Sequence, residues 1–109
     1  MTNEEVKEMC RKMRIPFDEN HPDHISADKL TTLSPPFMEF VLTDHLVYAD
    51  GSRYLDIKDL SIWIYSDTEV SEAEDDVKII LEEEDIRWKR SAEFIEDLMM
   101  WAIIYKMEV

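Results

Sequence analysis

The sequence predicts an α+β fold, a single domain in which a mainly antiparallel β-sheet of about five strands is flanked by two α-helices, residues 1–109. Three observations lead to this prediction. Two segments carry apolar residues at helical spacing, several others alternate apolar and polar residues as strands do, and the one glycine, Gly51, lies between two alternating segments. The predicted order is helix, strand, hairpin, strand, helix, strand, strand. A domain of this length buries roughly 65% of its unfolded surface, which is enough for a core of its own.

Residues 2–13 are predicted to form the first helix. Thr2 and Glu5 have the spacing of a capping box, in which each side chain bonds the backbone of the other residue. Apolar positions recur on one helical face of this segment: Val6, Met9, Cys10 and Met13. Cys10 is the only cysteine, so an internal disulfide is excluded, and its place on this face indicates a small buried hydrophobe rather than a reactive thiol.

A long loop is predicted at residues 16–34, where prolines and turn-forming residues are frequent and a short helical turn is expected near residues 26–30. Five side chains of this loop have the chemistry of zinc or manganese ligands: Asp18, Glu19, His21, Asp23 and His24. The spacing of the two histidines matches no established zinc motif. The favoured interpretation is a solvated polar loop, with a metal site as the alternative.

The first strand is predicted at residues 37–42, directly after two prolines that a strand tolerates at its start. A hairpin follows, with strands at residues 46–48 and 54–57. Its turn is assigned to Asp50 and Gly51, because an Asp-Gly pair is typical of two-residue hairpin loops and glycine takes positive φ without a steric cost.

A second helix is predicted from residue 71 to about residue 85. Ser71 and Glu74 have capping-box spacing, and the apolar positions again fall on one face: Ala73, Val77, Ile80 and Leu81. Residues 66–86 hold ten carboxylates and one lysine, Lys78. The acidic face of this helix is either a solvated face or a functional electrostatic surface. The candidates for a functional acidic face are Glu72, Asp75, Asp76, Glu82 and Glu83.

The last 24 residues are predicted to form two strands. Residues 86–90 alternate apolar and charged side chains, and residues 98–105 are apolar on both faces, as a central strand would be. Glu96 and Asp97 would form the tight connection. The alternative is a helix within residues 94–107, because four apolar side chains there also fall near one helical face: Phe94, Leu98, Trp101 and Ile104.

Three tryptophans are candidates for an interface. Trp63 lies in a predicted strand at residues 60–65, and Trp88 and Trp101 lie in the last two strands. Aromatic residues at alternate strand positions commonly fill a core, whereas exposed tryptophans are favoured at contacts between subunits. Core filling and subunit contact both remain open for these residues.

The charge balance narrows the classes of partner. The chain holds 26 Asp and Glu against 12 Lys and Arg, a formal net charge of -14. Such a surface repels phosphate and anionic lipid, so direct, specific nucleic-acid binding is not expected. Membrane contact is not expected either, since no window approaches the ~20 apolar residues that span a bilayer and no secretory signal is seen. We therefore expect a soluble protein of the cytoplasm.

Catalytic motifs are not found. Acid pairs such as Asp44 with Asp50, or Asp56 with Asp59, have the chemistry for general acid and base roles, but such pairs arise by chance among 26 acids. The chain has no Ser-His-Asp context, no phosphate-binding loop and no nucleotide fingerprint. The sequence predicts a protein that is not an enzyme and that uses no cofactor.

Several short motifs accompany the order of elements in residues 35–109. They are Pro35-Pro36-Phe37, Tyr48-Ala49-Asp50-Gly51, Tyr54, Leu60-Ser61-Ile62-Trp63-Ile64-Tyr65, Glu72-Ala73-Glu74 and Ile103-Ile104-Tyr105-Lys106-Met107-Glu108-Val109. In this combination the chain resembles small neck proteins of tailed bacteriophages, in particular the tail terminator, tail completion and head-to-tail joining proteins of phages and prophages of Gram-positive bacteria. The loop at residues 16–34 departs from that pattern.

The resemblance implies an α+β subunit that assembles with copies of itself into a ring, commonly a hexamer, at the head-tail junction. Its partners would be tail-tube and head-connector proteins, and its location the virion neck, after assembly in the host cytoplasm. Proteins of this kind have no catalytic residues. Because DNA passes through such a ring, a lumen lined by carboxylates would repel phosphate. The candidate acidic face would then line that channel or meet a partner surface that tolerates acids.

A second hypothesis is an acidic inhibitor that mimics nucleic acid. The carboxylates of residues 82–85 would stand in for phosphates and occupy the basic cleft of a nuclease or another DNA-binding host enzyme. This hypothesis predicts a monomer or dimer that binds its target in a salt-sensitive way. A third possibility is a binding module of a host pathway.

Overall fold

The computed structural model describes residues 2–15, 36–44 and 58–109. Two helices and four strands lie in these ranges. In chain order they are α1 (Asn3–Lys12), β1 (Phe37–Asp44), β2 (Lys58–Ser66), α2 (Ala73–Glu83), β3 (Trp88–Ile95) and β4 (Met100–Glu108). The α+β class, the two helices and the antiparallel sheet that the sequence predicts are confirmed.

The four strands form one antiparallel sheet in the order β1-β2-β4-β3. Strand β4 is therefore central, with Ile104 opposite Trp63 of β2 on one side and opposite Ser91 of β3 on the other. This position explains why the end of the sequence is apolar on both faces. The prediction of two strands rather than a helix in this region is confirmed, and the turn that joins them occupies residues 96–99.

Both helices pack on the same face of the sheet. Helix α1 buries Val6, Met9 and Cys10 against a core that includes Val77 and Leu81 of α2. The strands contribute alternate residues to this core, as the period of two along a strand requires. They are Met38, Phe40, Leu60, Ile62, Ile64, Ile103, Tyr105 and Met107.

The capping box predicted for α1 is present. Thr2 Oγ1 accepts a hydrogen bond from the Glu5 backbone nitrogen at 3.2 Å, and Glu5 Oε1 accepts one from the Thr2 backbone nitrogen at 3.1 Å. These bonds satisfy two donors that a helix N-terminus would otherwise leave open. Cys10 is 1% exposed, as its helical face predicts, and burial raises the pKa of its thiol to about 12. The thiol is therefore inert at neutral pH.

The opposite face of the sheet holds a second apolar cluster. Its buried members are Phe37, Tyr65, Ala102 and Ile104. Phe37 stacks on Tyr65 with the ring centroids 5.1 Å apart, and the Tyr65 hydroxyl donates a hydrogen bond of 2.5 Å to Glu39. No helical residue of the described ranges belongs to this cluster. The sheet is thus apolar on both faces over β1, β2 and β4.

Two sequence predictions need correction. The described residues contain four strands rather than about five. The predicted hairpin, with its turn at Asp50 and Gly51 and its strands at 46–48 and 54–57, lies outside the described residues. The predicted loop at 16–34 lies outside them as well. Helix α2 begins one residue later than the predicted capping box requires, because the Ser71 hydroxyl accepts from the Ala73 nitrogen at 3.3 Å and not from Glu74. The reverse half of the box is present, since Glu74 accepts from the Ser71 nitrogen at 2.9 Å.

Candidate functional site

The outer face of α2 carries all five carboxylates that the sequence singles out. Val77 and Leu81 are buried against the sheet, and the residues on the other side of the helix are exposed. At 100° per residue, the exposed acids share one arc of about 120°. They are Glu72, Asp75, Asp76, Glu82 and Glu83, and we call this surface the acidic face.

An apolar side chain lies at the centre of the acidic face. Ile79 is 53% exposed, and its neighbours at three and four residues in both directions are all carboxylates. Ile79 is not predicted from the sequence as part of this surface, because the other apolar residues of α2 already complete its buried stripe. The signal was present in the sequence as one apolar residue outside that stripe, enclosed by acids.

The charges of the acidic face are not compensated locally. None of its five carboxylates forms an ion pair with another described residue. The ion pair at this end of α2 belongs instead to Glu84, whose Oε1 lies 3.7 Å from Lys12 Nζ of α1. Glu82 and Glu83 also occupy the last turn, where the negative end of the helix dipole disfavours acids. Glu82 and Glu83 therefore lower the stability of α2, whereas Glu72, Asp75 and Asp76 lie at its N-terminal end, where the dipole favours acids.

A buried carboxylate fastens the first turn of α2 to the sheet. The Glu74 side chain is 3% exposed, and it accepts hydrogen bonds from Arg90 Nε at 2.5 Å and from the Tyr105 hydroxyl at 2.6 Å. Arg90 also donates to the Glu69 carbonyl oxygen at 2.8 Å, so it holds the segment before α2 as well. Helix α2 is thus attached to β3 and β4 by polar contacts as well as by its apolar stripe.

The ionisation of this cluster follows from its geometry. Burial alone would raise the pKa of Glu74, but the hydrogen bonds from Arg90, Tyr105 and Ser71, with the charge of Arg90, outweigh burial and lower it. The pKa of Tyr105 is raised by burial and by its bond to Glu74. At neutral pH, Glu74 is therefore an ionised acceptor and Tyr105 a neutral donor. All of these groups are satisfied, which indicates a structural role.

The three tryptophans are not brought together. Trp63 lies on the sheet face away from the helices, partly buried beside the second cluster. Trp88 and Trp101 lie on the helix-bearing face at opposite ends of the β3–β4 ladder. Trp88 meets Tyr105 edge-on at 6.2 Å, and Trp101 meets Phe94 edge-on at 5.5 Å. The tryptophans therefore do not form one interface patch, although Phe94, 43% exposed, leaves the pair with Trp101 open to solvent.

An open groove of about 870 Å³ lies at the end of the sheet where β2 and β3 begin. Trp88 and Met107 form part of its apolar wall. Its charged lining residues are balanced in sign, three acids and three bases: Asp59, Asp85, Glu108, Arg87, Lys89 and Lys106. The balance provides no selection for an anion or a cation.

Neither a metal site nor a membrane-spanning helix is found in the described ranges. No group of three or more His, Cys, Asp or Glu there has the arrangement of a metal site, and the candidate ligands Asp18, Glu19, His21, Asp23 and His24 lie outside these ranges. Neither described helix has the length and apolar character needed to cross a membrane. Comparison of the chain with models of protein families, with curated proteins and with solved structures finds no match.

Proposed function

We propose that this protein is a structural virion-assembly protein of a tailed phage or prophage, a tail terminator, tail completion or head-tail joining component that forms a ring at the head-tail junction without catalysis. The observation that carries this proposal is the acidic face. Five carboxylates that form no ion pair with another described residue share one face with exposed Ile79, on a helix whose other side is attached to the sheet. The motifs in residues 35–109 that resemble phage neck proteins support the same function.

A ring through which DNA passes needs a surface that does not bind phosphate. Double-stranded DNA carries one negative charge for about every 1.7 Å of its axis, so a wall of carboxylates repels it along its whole length. In the proposed ring, α2 of each subunit turns Asp75, Asp76 and Glu82 toward the channel. The loss of helix stability that Glu82 causes in the last turn is offset by the Glu74–Arg90–Tyr105 cluster on the opposite side of the helix.

A density map of the assembled neck tests the orientation of α2. The proposal predicts that Asp75, Asp76 and Glu82 point into the DNA channel or contact a neighbouring neck protein. Side chains of the acidic face on the outer rim, in contact with solvent alone, would contradict the proposal.

A functional test uses charge reversal in the phage genome that carries the gene. Asp75→Lys with Glu82→Lys places bases on the acidic face, and we expect DNA to be retained in the neck and the yield of infectious particles to fall. Glu96→Lys with Asp97→Lys is the matched control, because it makes the same change in charge on two exposed residues of the β3–β4 turn. Equal yields from the two double variants would contradict a role for the acidic face.

The nucleic-acid-mimic inhibitor is the second candidate, and the exposure of Glu82, Glu83 and Asp85 supports it. The ion pair of Glu84 with Lys12 interrupts that row, which makes it a poorer copy of a phosphate series. An inhibitor would bind a basic nuclease tightly at low salt, and reversal of Glu82 and Glu83 would abolish binding without unfolding the protein. Capsid, connector and tail-tube genes beside this gene favour the neck protein, whereas a nuclease or restriction gene beside it favours the inhibitor.

A further inference from the structure

Strand β3 is an exposed edge of the sheet. Among the described residues it pairs with β4 on one side only, and most of its side chains are exposed. The exposed residues are Lys89, Arg90, Ser91, Glu93 and Phe94. A strand with one free side offers a row of backbone donors and acceptors to another strand. Burial of the first residues of β1, the strand at the other end of the sheet order, makes β3 the more accessible of the two.

The sequence of β3 is complementary to itself when it is read in reverse. Residues 88–94 are Trp-Lys-Arg-Ser-Ala-Glu-Phe, with Ser91 at the centre. If two copies of β3 pair antiparallel with Ser91 opposite Ser91, each Lys89 lies opposite Glu93 of the other copy. In the same register, Trp88 lies opposite Phe94. Opposite charges and aromatic pairs in directly facing positions are the pairs that stabilise antiparallel strands.

The faces of the two sheets agree with this register. Trp88 and Phe94 pair with Met107 and Trp101, and therefore lie on the helix-bearing face. Lys89 and Glu93 are offset from them by odd numbers of positions and lie on the other face. A two-fold axis through Ser91 perpendicular to the sheet therefore joins like faces of the two copies, and the sheet continues without a break.

Neighbouring registers lack this complementarity. A two-fold axis at Arg90 would place two guanidinium groups directly opposite each other. A two-fold axis at Ala92 would place Lys89 opposite Ile95 and would leave Glu93 opposite Ser91. The register centred on Ser91 is thus the one that matches both the charged and the aromatic residues.

Within one chain, Lys89 lacks a counter-charge across the strand. It lies directly opposite Lys106 of β4, and like charges in such positions repel. Glu93 lies opposite Ala102, and no ion pair among the described residues includes Lys89 or Glu93. A second copy would place its Glu93 on the free side of Lys89. Pairing would therefore relieve the repulsion between the two lysines.

We infer that two copies of this chain associate through β3, in antiparallel register about Ser91, so that two four-stranded sheets join into one. The partner is a second copy because the complementarity is that of β3 with itself. This inference goes beyond the proposed function, since a ring requires a head-to-tail contact repeated around an axis and a two-fold contact cannot supply it. The net charge of -14 on each copy opposes association, so the dimer gains from salt that screens this repulsion.

Charge exchange between residues 89 and 93 tests the inference by sedimentation equilibrium. Lys89→Glu places an acid opposite Glu93 of the other copy at both symmetry-related positions of the dimer. Glu93→Lys places a base opposite Lys89 at the same two positions. Each single variant is expected to weaken dimerisation by about 10- to 100-fold. An equimolar mixture of the two variants, and the double variant alone, are expected to recover it, because every facing pair is again of opposite sign. Recovery in the mixture also shows that both variants fold.

Two controls match these variants in charge. Lys78→Glu changes a residue of α2 and Asp67→Lys changes a residue before α2, so neither lies in β3. Both are expected to leave the dimer intact apart from the general effect of net charge. A wild-type chain that stays monomeric at low and at high salt, or a mixture that does not associate more strongly than its components, overturns the inference.

A cysteine at the two-fold axis tests the register. In Ser91→Cys the two thiols would face each other across paired strands, where Cα separations of about 4.5–5.5 Å permit a disulfide. Mild oxidation is expected to cross-link this variant fully. Lys106→Cys, exposed on the neighbouring strand, is the control and is expected to remain uncrosslinked. Buried Cys10 does not compete. Equal cross-linking of the two variants contradicts the register.

Discussion

The hydroxyl of Tyr105 donates a hydrogen bond of 2.6 Å to Glu74 Oε1, which joins the central strand β4 to the first turn of α2 across 31 residues of sequence. Arg90 approaches the same carboxylate from β3. Glu74 is therefore the acid of α2 that faces inward, whereas the five acids of the acidic face turn outward. One carboxylate stabilises the position of the helix, and the others give it a charged surface.

Replacement of Glu74 by Gln is expected to lower the free energy of unfolding by about 1–3 kcal/mol, because the charge-assisted bonds to Arg90 and Tyr105 are weakened. The loss is smaller than for a fully enclosed ion pair, since the Arg90 side chain is 32% exposed. Urea unfolding measures the effect. Asp75→Asn, one residue along on the exposed side, is the control and should change stability little. Equal effects of the two substitutions would show that the buried cluster has no special role.

The pH dependence of stability should report the same carboxylate. The pKa of Glu74 in the folded chain is lowered from its ordinary value of 4.5. The contribution of the ionised carboxylate to the free energy of unfolding is therefore complete above pH 4.5, and it is lost as the pH falls through the folded-state pKa. We therefore expect the stability difference between the native chain and Glu74→Gln to be greatest near neutral pH and to narrow in acid. A difference that stays constant as the pH is lowered would contradict this assignment.

On the other face of the sheet, Tyr65→Phe removes the hydroxyl that donates to buried Glu39. We expect a loss of about 1–2 kcal/mol in the free energy of unfolding, with the ring stack on Phe37 retained. Burial and the bond to Glu39 raise the pKa of Tyr65, so its ionisation should accompany alkaline unfolding. Absorbance of tyrosinate followed during alkaline titration checks this. Ionisation of Tyr65 while the chain is still folded would count against the buried bond.

Of the acidic face, the acids at the C-terminal end of α2 should lower stability. Glu83→Gln removes an acid from the last turn, and we expect a gain of about 0.3–1 kcal/mol at low salt that diminishes as salt is added. Glu72→Gln is the matched control, because an acid at the N-terminal end is favoured by the helix dipole and its removal brings no such gain. Thermal unfolding at two salt concentrations distinguishes them. A gain for Glu72→Gln equal to that for Glu83→Gln would assign the effect to net charge alone.

The end of α2 offers a backbone test. Asp85 adopts a φ of 56°, and the next residue, Ile86, donates its backbone N–H to the Leu81 carbonyl oxygen at 2.9 Å, the pattern of a Schellman cap. Glycine adopts this conformation without a steric cost, so Asp85→Gly should raise the free energy of unfolding by about 0.5–1 kcal/mol. Asp85→Asn, which keeps a side chain but removes the charge, separates the backbone effect from electrostatics. A gain for Asn as large as that for Gly would indicate that charge, not φ, is responsible.

Local signals in the sequence predict much of the fold. The capping box at Thr2 and Glu5 and the apolar stripe ending at Met13 locate α1, because both act within one or two turns. The apolar run at residues 98–105 predicts a central strand, since only a strand covered on both faces needs apolar residues at every position. Each of these features depends on residues that are close together in the chain, so the sequence alone is enough to predict it.

Contacts between residues far apart in the chain are harder to predict from the sequence. The bonds of Glu74 to Arg90 and Tyr105 connect residues 16 and 31 positions apart, so no local pattern separates Glu74 from the exposed acids around it. The bond of Tyr65 to Glu39 spans 26 positions. The exposure of Ile79 follows from how the sheet covers α2. The complementarity of β3 with itself is present in the sequence, but it predicts a contact between two copies only once β3 is known to lie at an edge of the sheet.

The most direct test of the proposed ring is the absolute mass of the Lys89→Glu variant in solution, measured by light scattering at low and at high salt. This variant weakens the β3 dimer, so an oligomer larger than a dimer reports a different contact. Added salt reduces the Debye length from about 30 Å at 0.01 M to about 3 Å at 1 M and screens the repulsion between acidic subunits. The proposal predicts a monomer at low salt and a closed oligomer larger than a dimer at high salt. A variant that stays monomeric at every salt and protein concentration would contradict it.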